Sequence, residues 1–267
     1  IGFLCGRNLD NMVVVEECYA VGAVSTTSAN DVGGLIGSIT GYARIQHCRA
    51  SGNVTGNNYY TGGLIGSVMY SKVSSVSNLH VFISNSYATG TVSGMYYCGG
   101  LIGSNGYVVR ASVSYSSGAS IRYSYATGNV NATAGYCYAG GLVGVNTGYS
   151  EIQDSYSRGN VTGSGTSSFV GGLVGWNAFY STINRCYSTG LITAGSDFGG
   201  LVGLNNYDAT VTESYYNSAT SCCTDTGKGI PKWTLEMQTP STFEGWDFTG
   251  DPAAGTDAVW AIDSNKI

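Results

Sequence analysis

The sequence predicts an all-β protein, a parallel β-solenoid (β-helix) of about seven rungs closed by a short irregular C-terminal cap. Three observations support this prediction. Glycine supplies 41 of the 267 residues, while only 10% are charged. A glycine-rich string recurs along most of the chain, and a second string of alternating small and polar residues follows each copy. Repeats with periods of roughly 20–50 residues are typical of solenoids and related repeat proteins.

The first repeated string is Gly-Gly-Leu, followed by Ile or Val and a further Gly. Its copies begin at Gly33, Gly62, Gly99, Gly140, Gly171 and Gly199, and a degenerate copy spans residues 2–6. Successive copies start 28 to 41 residues apart. Helical repeats of this length need long amphipathic stripes and tolerate glycine poorly. The interval therefore indicates one turn of a β-coil.

The second string starts with Cys or Ser, continues with an aromatic residue or Arg and then a small residue, and ends in Gly. Its copies begin at Cys18, Cys48, Ser86, Ser124, Ser155 and Cys186, with a decayed copy at Ser214. Two positions after each Gly stands an aliphatic residue: Val24, Val54, Val92, Val130, Val161 and Ile192. Because side chains alternate across a strand, we expect the aliphatic, Gly, Ala/Ser and Cys/Ser positions to face the core.

The other parity should face outward and stack from rung to rung. It holds Tyr87, Tyr125, Tyr156 and Tyr187, then Thr89, Thr127 and Thr189, and then Asn129 and Asn160. One interpretation is a solvated sheet face, since aromatic and Thr ladders favour strand pairing. The alternatives are a lateral contact or a ligand surface, for glycan through the tyrosines, and an ice-binding surface.

Two adjacent rungs carry extra residues at the same corner. From the Gly-Gly pair to the Cys/Ser position takes 15 residues in four rungs, but 24 after Gly62 and 25 after Gly99. The inserted segments include Tyr70, Lys72, Tyr107 and Arg110. Insertions in solenoids map to loops on one face, often the binding face. These residues are a second set of binding candidates, with neutral loop drift as the alternative.

The chain has eight cysteines and no Cys-x-x-Cys pair, so a zinc site is not expected. Cys18 and Cys48 occupy the same slot on consecutive rungs, and Cys98 and Cys137 both precede a Gly-Gly pair. Adjacent strands lie about 4.8 Å apart, within the roughly 4.4–6.8 Å that disulfides span between Cα atoms. Each pair is therefore a disulfide candidate, with buried free thiols as the alternative.

Several classes of function are not expected from the composition. The two histidines form no His-Glu-x-x-His string, and no nucleophile elbow with a plausible His partner is present, so we expect no enzyme, cofactor or metal. Eleven basic residues and a pI near 4.8 argue against nucleic acid. No run of about eighteen apolar residues exists to span a membrane.

The chain divides into two compositions. Residues 1–220 hold the repeats, whereas all three prolines and three of the four tryptophans lie after residue 230. Residues 221–267 are therefore expected to form an acidic capping segment. Trp233, Trp246 and Trp260 would supply an apolar lid over the last rung, because open solenoid ends expose unpaired strand edges.

The two repeated strings together resemble the motif of a known family. Gly-Gly-Leu-Val-Gly-x-Asn at 140–146, 171–177 and 199–205, paired with Ser-Tyr-Ala-Thr-Gly-Asn-Val at 124–130, resembles the GLUG motif of large bacterial surface and secreted proteins. The resemblance covers about residues 1–218.

The resemblance implies a non-catalytic extracellular or cell-surface module: a stalk, an adhesin module or a fibre subunit. Expected partners are further repeats or copies of the same chain, a surface glycan or a host protein. A polysaccharide-active enzyme is the competing class. Since the sequence opens inside a repeat, we expect it to be a piece of a longer chain.

Overall fold

A computed structural model describes residues 2, 12–69, 81–106, 119–221, 228–248 and 260. Its strands form five parallel sheets, which the chain visits in the fixed order I, II, III, IV and V during each turn. Sheet I contains Val13–Glu16, Ala43–Gln46, Val81–Ser84, Ser120–Arg122, Glu151–Gln153, Thr182–Asn184 and Thr210–Thr212. Sheet II contains Tyr19–Ala20, Arg49–Ala50, Tyr87–Ala88, Tyr125–Ala126, Tyr156–Ser157, Tyr187–Ser188, Tyr215–Asn217 and Ile230–Lys232.

The remaining three sheets have six strands each among the described residues. Sheet III contains Val24–Thr26, Val54–Gly56, Val92–Gly94, Val130–Ala132, Val161–Gly163 and Ile192–Ala194. Sheet IV contains Asp31–Gly33, Tyr60–Gly62, Tyr97–Gly99, Tyr138–Gly140, Phe169–Gly171 and Phe198–Gly199. Sheet V contains Ile36–Thr40, Ile65–Met69, Ile102–Asn105, Val143–Asn146, Val174–Asn177 and Val202–Asn205.

Equivalent repeat positions align between turns, as Val92 does with Val54 on one side and Val130 on the other. The described residues thus form six full turns and the first two strands of a seventh, and the predicted parallel β-solenoid is confirmed. After them come the helices Ser218–Ser221 and Thr234–Met237 and the 3-10 turn Pro240–Thr242.

The three glycines of the first string are required by close backbone approaches. A Cβ on Gly99 would lie 2.0 Å from the carbonyl oxygen of Ile102, and one on Gly100 would lie 2.1 Å from that of Gly141. A Cβ on Gly103 would lie 2.7 Å from the backbone nitrogen of Thr61 in sheet IV. Sheets IV and V therefore pack on each other without intervening side chains, which only glycine allows.

The cross-section holds two apolar cores. The larger, formed by sheets I, II and V, contains one isoleucine from each of five successive turns of sheet I: Ile45, Ile83, Ile121, Ile152 and Ile183. The smaller, formed by sheets III and IV, contains the predicted inward aliphatic residues. Val92, Val130, Val161 and Ile192 lie in its main cluster, and Val24 and Val54 lie in a satellite cluster. The predicted orientation of this row is confirmed.

A ladder of asparagine amides runs along the inside of sheet V. The side-chain nitrogens of Asn105, Asn146 and Asn177 each donate to the amide oxygen of the next asparagine, at 2.9, 2.8 and 2.8 Å. Asn205 ends the ladder by donating to the carbonyl oxygen of Ala209 at 3.1 Å. At the other end, Val68 occupies the equivalent position, and the buried Oδ1 of Asn105 has no hydrogen-bond partner. Elsewhere in the ladder, hydrogen bonds between the amides offset the cost of burying them in the core.

Candidate binding surface

The predicted outward tyrosines stack as a continuous column on sheet II. Ring centroids are 4.8 Å apart between Tyr87 and Tyr125, 4.9 Å between Tyr125 and Tyr156, and 4.9 Å between Tyr156 and Tyr187. Neighbouring rings are inclined by 3 to 6°. In-register parallel strands place identical side chains one rung spacing apart, which is close to the contact distance of stacked rings.

This stacking restricts what the column can bind. Each inner ring has both faces against its neighbours, so ring edges and phenol hydroxyls are what it presents to solvent. Arg49 continues the column: its guanidinium lies 5.2 Å from the centroid of Tyr19 and donates to the hydroxyl of Tyr87 at 3.4 Å. A sugar ring packs on aromatic faces, and those faces are already occupied. The geometry favours the structural interpretation of this ladder over glycan binding through the tyrosines.

The C-terminal segment covers the far end of the column. The rings of Trp246 and Trp260 lie 6.3 and 5.7 Å from that of Tyr187, and Tyr215 is only 4% exposed. Burial, followed by the neighbouring Tyr125, raises the pKa of Tyr156 to about 12. The outward face is therefore most open at Tyr19, which is 66% exposed, whereas the tail packs over Tyr156 and Tyr187.

The expected tryptophan lid over the last rung is only partly correct. The strand Ile230–Lys232 does extend sheet II beyond Tyr215–Asn217. Trp246 and Trp260, however, pack on the side of the coil, and Trp233 is 68% exposed. The ring of Tyr216 instead fills the end of the large core, where it lies against Gly200.

The predicted threonine and asparagine positions do not form one uniform surface. Thr89 and Thr127 are exposed, but the backbone of Thr189 accepts a hydrogen bond from the Thr220 hydroxyl at 2.9 Å. The side-chain oxygen of Asn129 accepts from the backbone of Asn160 at 3.0 Å, and that of Asn160 accepts from the next turn at 2.9 Å. These asparagines tie successive turns together, and a role in ligand binding stays a prediction.

The predicted insertion residues Tyr70, Lys72, Tyr107 and Arg110 lie outside the described residues. The strands that follow the two insertions, Val81–Ser84 and Ser120–Arg122, are in register with each other. The insertions therefore leave the sheet I ladder intact.

The four candidate disulfide cysteines are free thiols in the structure. Cys18 and Cys48 do occupy equivalent positions, since the residues that follow them, Tyr19 and Arg49, are register partners. Burial raises the pKa of the Cys48 thiol, and a hydrogen bond to the backbone of Cys18 opposes part of that rise. A bridge between these two stays a prediction.

Cys98 and Cys137, the second candidate pair, do not occupy equivalent positions in successive turns. Cys98 aligns with Ala139, and Cys137 lies two positions earlier. The Cys137 thiol donates to the Ser168 hydroxyl at 3.1 Å. Both cysteines are buried in the small core, where burial raises the pKa of both thiols.

A second aromatic column, on sheet IV, is not anticipated by the sequence analysis. Tyr60, Tyr97, Tyr138 and Phe169 stack at 5.0, 5.4 and 5.4 Å, and Trp176 of sheet V stacks on Tyr138 at 5.1 Å. The signal was present, because each member stands two residues before a Gly-Gly pair. Burial, followed by the hydrogen bond between the Tyr136 and Tyr138 hydroxyls, raises the pKa of Tyr138.

Two features are absent from the described part of the chain. No group of three or more His, Cys, Asp or Glu side chains there is placed to hold a metal ion. The helices it contains are too short to cross a membrane.

Comparison with known families gives matches to the GLUG motif at residues 28–55 and 135–162. Comparison with curated proteins gives no match. Each matched segment contains one strand from every sheet, entering in sheet IV and ending in sheet III of the next turn. One motif therefore corresponds to one turn of the coil, and the chain matches the GLUG motif at two turns of a parallel β-solenoid.

Proposed function

We propose that the chain is a non-catalytic structural and adhesive module of a secreted or cell-surface protein, serving as a stalk, an adhesin module or a fibre subunit. GLUG repeats and a parallel β-solenoid fit a repeated structural or adhesive module. The proposal commits to the outside of the cell and to partners that are further repeats, copies of the chain, surface glycan or host protein.

The main support for the proposal is that the same residues, repeated from turn to turn, hold neighbouring turns together. The tyrosine column, the asparagine ladder and the glycine contacts each involve the same position in successive turns. Each turn is thus held by its neighbours along the axis, as in other solenoids whose stability is a sum of nearest-neighbour terms. A body of this kind suits a spacer that holds a binding surface away from a cell.

Localisation is the first test. Antibody raised against the purified chain should label intact producing cells or their medium, and protease added to intact cells should remove the surface signal. Labelling that requires permeabilised cells would contradict the proposal. Beads coated with the chain should also attach to a glycan- or matrix-coated surface more than beads coated with an unrelated β-protein.

The enzyme alternative is tested separately. Incubation with a panel of polysaccharides should release no new reducing ends or unsaturated sugars. Release from any substrate, abolished by heat denaturation, would favour the polysaccharide-active class over the proposed one.

A further inference from the structure

One position in each turn, at the corner between sheets I and II, holds a small side chain at the edge of the large core. We call these residues the Cys/Ser row. Its members are Cys18, Cys48, Ser86, Ser124, Ser155, Cys186 and Ser214. Every member is buried except Cys18, which is partly exposed. Cys18 and Cys48 are the two cysteines of the row that lie in consecutive turns.

The serines show what this position requires. Backbone N–H groups donate to the serine hydroxyl of the next turn, at 3.1 Å from Cys48 to Ser86 and at 3.2 Å from Ser86 to Ser124. The hydroxyls of Ser86 and Ser124 donate to the carbonyl oxygens two residues before them, both at 2.8 Å. A thiol is a weaker donor and acceptor than a hydroxyl. Hydrogen bonding therefore gives no reason for cysteine at this position, and what cysteine adds is the chemistry of sulfur.

Cys186 is the case in which cysteine only takes the place of serine. Its neighbours in the row are Ser155 and Ser214, its side chain is 0% exposed, and its thiol donates to the carbonyl oxygen of Asn184 at 3.2 Å. A buried thiol of this kind acts as a small apolar side chain and is unreactive. The pair in the first two described turns differs from Cys186 in two respects, because each thiol has a thiol neighbour and one of them is exposed.

The Cys48 sulfur is directed along the coil toward the turn that contains Cys18. It lies 3.5 Å from the carbonyl oxygen of Val15 in that turn, and it has a hydrogen bond to the backbone of Cys18. The two thiols are also close enough to interact with each other. Equivalent residues in adjacent parallel strands lie about 4.8 Å apart, within the roughly 4.4–6.8 Å that disulfides span between Cα atoms.

Rotation of one side chain would bring the two sulfurs together. The Cys18 thiol donates to the carbonyl oxygen of Glu16 and the Cys48 thiol to that of Gln46, both at 3.3 Å. This shared orientation stacks the sulfurs about one strand spacing apart, roughly 4.8 Å, whereas bonded sulfurs lie about 2.0 Å apart. Because Cys18 is only partly buried, its side chain is the one that can turn toward its neighbour.

We propose that Cys18 and Cys48 form a redox site, at which a small disulfide such as glutathione disulfide converts the two free thiols into a bond that joins two consecutive turns. Cys18 loses its proton and its sulfur attacks the oxidant, whose S–S bond breaks and releases one glutathione thiolate. Cys48 then loses its proton, attacks the Cys18 sulfur of the mixed disulfide and expels the second glutathione thiolate. The two thiolates take up two protons, so the chain is oxidised and one glutathione disulfide is reduced to two glutathiones.

Burial sets the order of these two steps. The Cys48 side chain is 0% exposed, so a tripeptide oxidant cannot reach its sulfur, whereas the sulfur of Cys18 is accessible. Exchange depends on access to the attacking thiol. The buried thiols of Cys98, Cys137 and Cys186 should therefore stay reduced under the same conditions.

The bond would act on the stability of one end of the described coil. It closes a loop one turn long, and closing a loop restricts the unfolded chain more than the folded one. Opening of the strand Ala43–Gln46 away from Val13–Glu16 should then become rarer. This effect goes beyond the adhesive function proposed above and does not rest on it.

Peptide mapping of the full chain tests the proposal. The folded, reduced protein is incubated with glutathione disulfide, its remaining thiols are blocked with N-ethylmaleimide in denaturant, and it is digested with trypsin. Cys18 lies on the tryptic peptide 8–44 and Cys48 on the peptide 45–49. We expect these two peptides to be joined by a bond that dithiothreitol breaks, while Cys98, Cys137 and Cys186 carry the maleimide.

Three serine variants identify the role of each thiol, and serine is already the residue of this row in other turns. In Cys48→Ser, the reaction should stop at the mixed disulfide, so peptide 8–44 should carry one glutathione. Cys18→Ser should give neither the adduct nor the linked peptides. Cys186→Ser is the matched control and should form the link as the wild type does. Circular dichroism should show the same fold for all three.

Native proteolysis measures the effect on the coil. Trypsin cleavage of the folded protein after Arg44, which requires the strand to open, should slow at least about tenfold on oxidation of the wild type. It should not change on oxidation of Cys48→Ser. Cleavage after Arg158, in a distant turn, should be the same in both redox states.

The proposal would be overturned by maleimide on both Cys18 and Cys48 of the oxidised wild type, by a link from Cys18 to a different cysteine, or by the lack of a glutathione adduct in Cys48→Ser. A linked protein cleaved after Arg44 as fast as the reduced one would overturn the effect on the coil. In each case, surface labelling and bead attachment would still decide the proposed adhesive function independently.

Discussion

The contact at the second glycine of each Gly-Gly pair makes a sharp prediction about Gly100→Ala. A Cβ at Gly100 would lie 2.1 Å from the carbonyl oxygen of Gly141 and 2.8 Å from the Cβ of Ala126. Real Cβ contacts essentially never fall below 3.0 Å. Two turns of backbone would have to separate by roughly 1 Å, and well-packed interiors resist such shifts.

Overpacking of a core costs about 1–3 kcal/mol, and we expect the upper end because one of the two opposing atoms belongs to the backbone. For a chain of this size, each kcal/mol lowers the melting temperature by roughly 2–4 °C. Gly100→Ala should therefore melt about 6–12 °C below the wild type. Gly135→Ala is the matched control, since no atom lies within 4 Å of its added Cβ.

Thermal unfolding followed by circular dichroism distinguishes these variants. Gly135→Ala should match the wild type or gain about 0.4–1 kcal/mol from reduced chain entropy in the unfolded state. The double variant Gly100→Ala/Ala126→Gly should recover only part of the loss, because it leaves the clash with Gly141 in place. If Gly100→Ala had the same melting temperature as Gly135→Ala, the described packing of successive turns would be refuted.

Four further predictions test other parts of the fold. Val130→Asp should unfold the middle turns, because an unpaired carboxylate would replace a side chain of 0% exposure; melting within a degree or two of wild type would contradict its inward orientation. In urea unfolding, Val68→Asn should lower the free energy of unfolding by about 1 kcal/mol less than Val130→Asn does, because the new amide at position 68 can donate to the unpaired Oδ1 of Asn105. Equal losses in the two variants would contradict this pairing. Trp246→Ala should lose about 3–5 kcal/mol of stability, and a negligible loss would show that the tail is not docked on the tyrosine column. The pKa of Tyr156 is raised to about 12, so the stability it contributes is complete below the unfolded-state value of about 10 and is lost as the pH rises through about 12. Because burial also raises the pKa of Tyr138 and Tyr187, the late step of an ultraviolet phenolate titration should become smaller by one tyrosine in Tyr156→Phe, and an unchanged step would contradict this prediction.

The orientation of the second string could be predicted because strand geometry leaves only two choices of parity. The aliphatic position identified the inward parity, and Val92, Val130 and Val161 are indeed fully buried. The stacking of Tyr87, Tyr125 and their equivalents follows from the same rule once the turns are in register.

Other features of the fold could not be predicted from the alternation of inward and outward side chains. Parity does not reveal how many corners a turn has, so neither the separation into two cores nor the second aromatic column was predicted. The tail carries no repeat, and the docking of Trp246 on Tyr187 follows from aromatic contact rather than register. Cys137 lies two positions before the residue that aligns with Cys98, and loop length explains this offset. The loop between sheets III and IV is longer in its turn than in that of Cys98, and counting back from Gly140 gives Ala139 as the equivalent residue.

The division between repeated and unrepeated side chains bears on where this coil can recognise a partner. A residue that recurs at one position in every turn is stacked against its own equivalents, so its faces and hydrogen-bonding groups are used by the protein itself, as with the tyrosines of sheet II and the asparagines of sheet V. A side chain such as Arg44, whose neighbours in the row are Val14 and Phe82, has no equivalent to pair with and keeps its charge for solvent or a ligand. Specific recognition requires groups that are positioned but not satisfied. On a solenoid this condition is met where the repeat is interrupted, as at Arg44, rather than along the regular ladders.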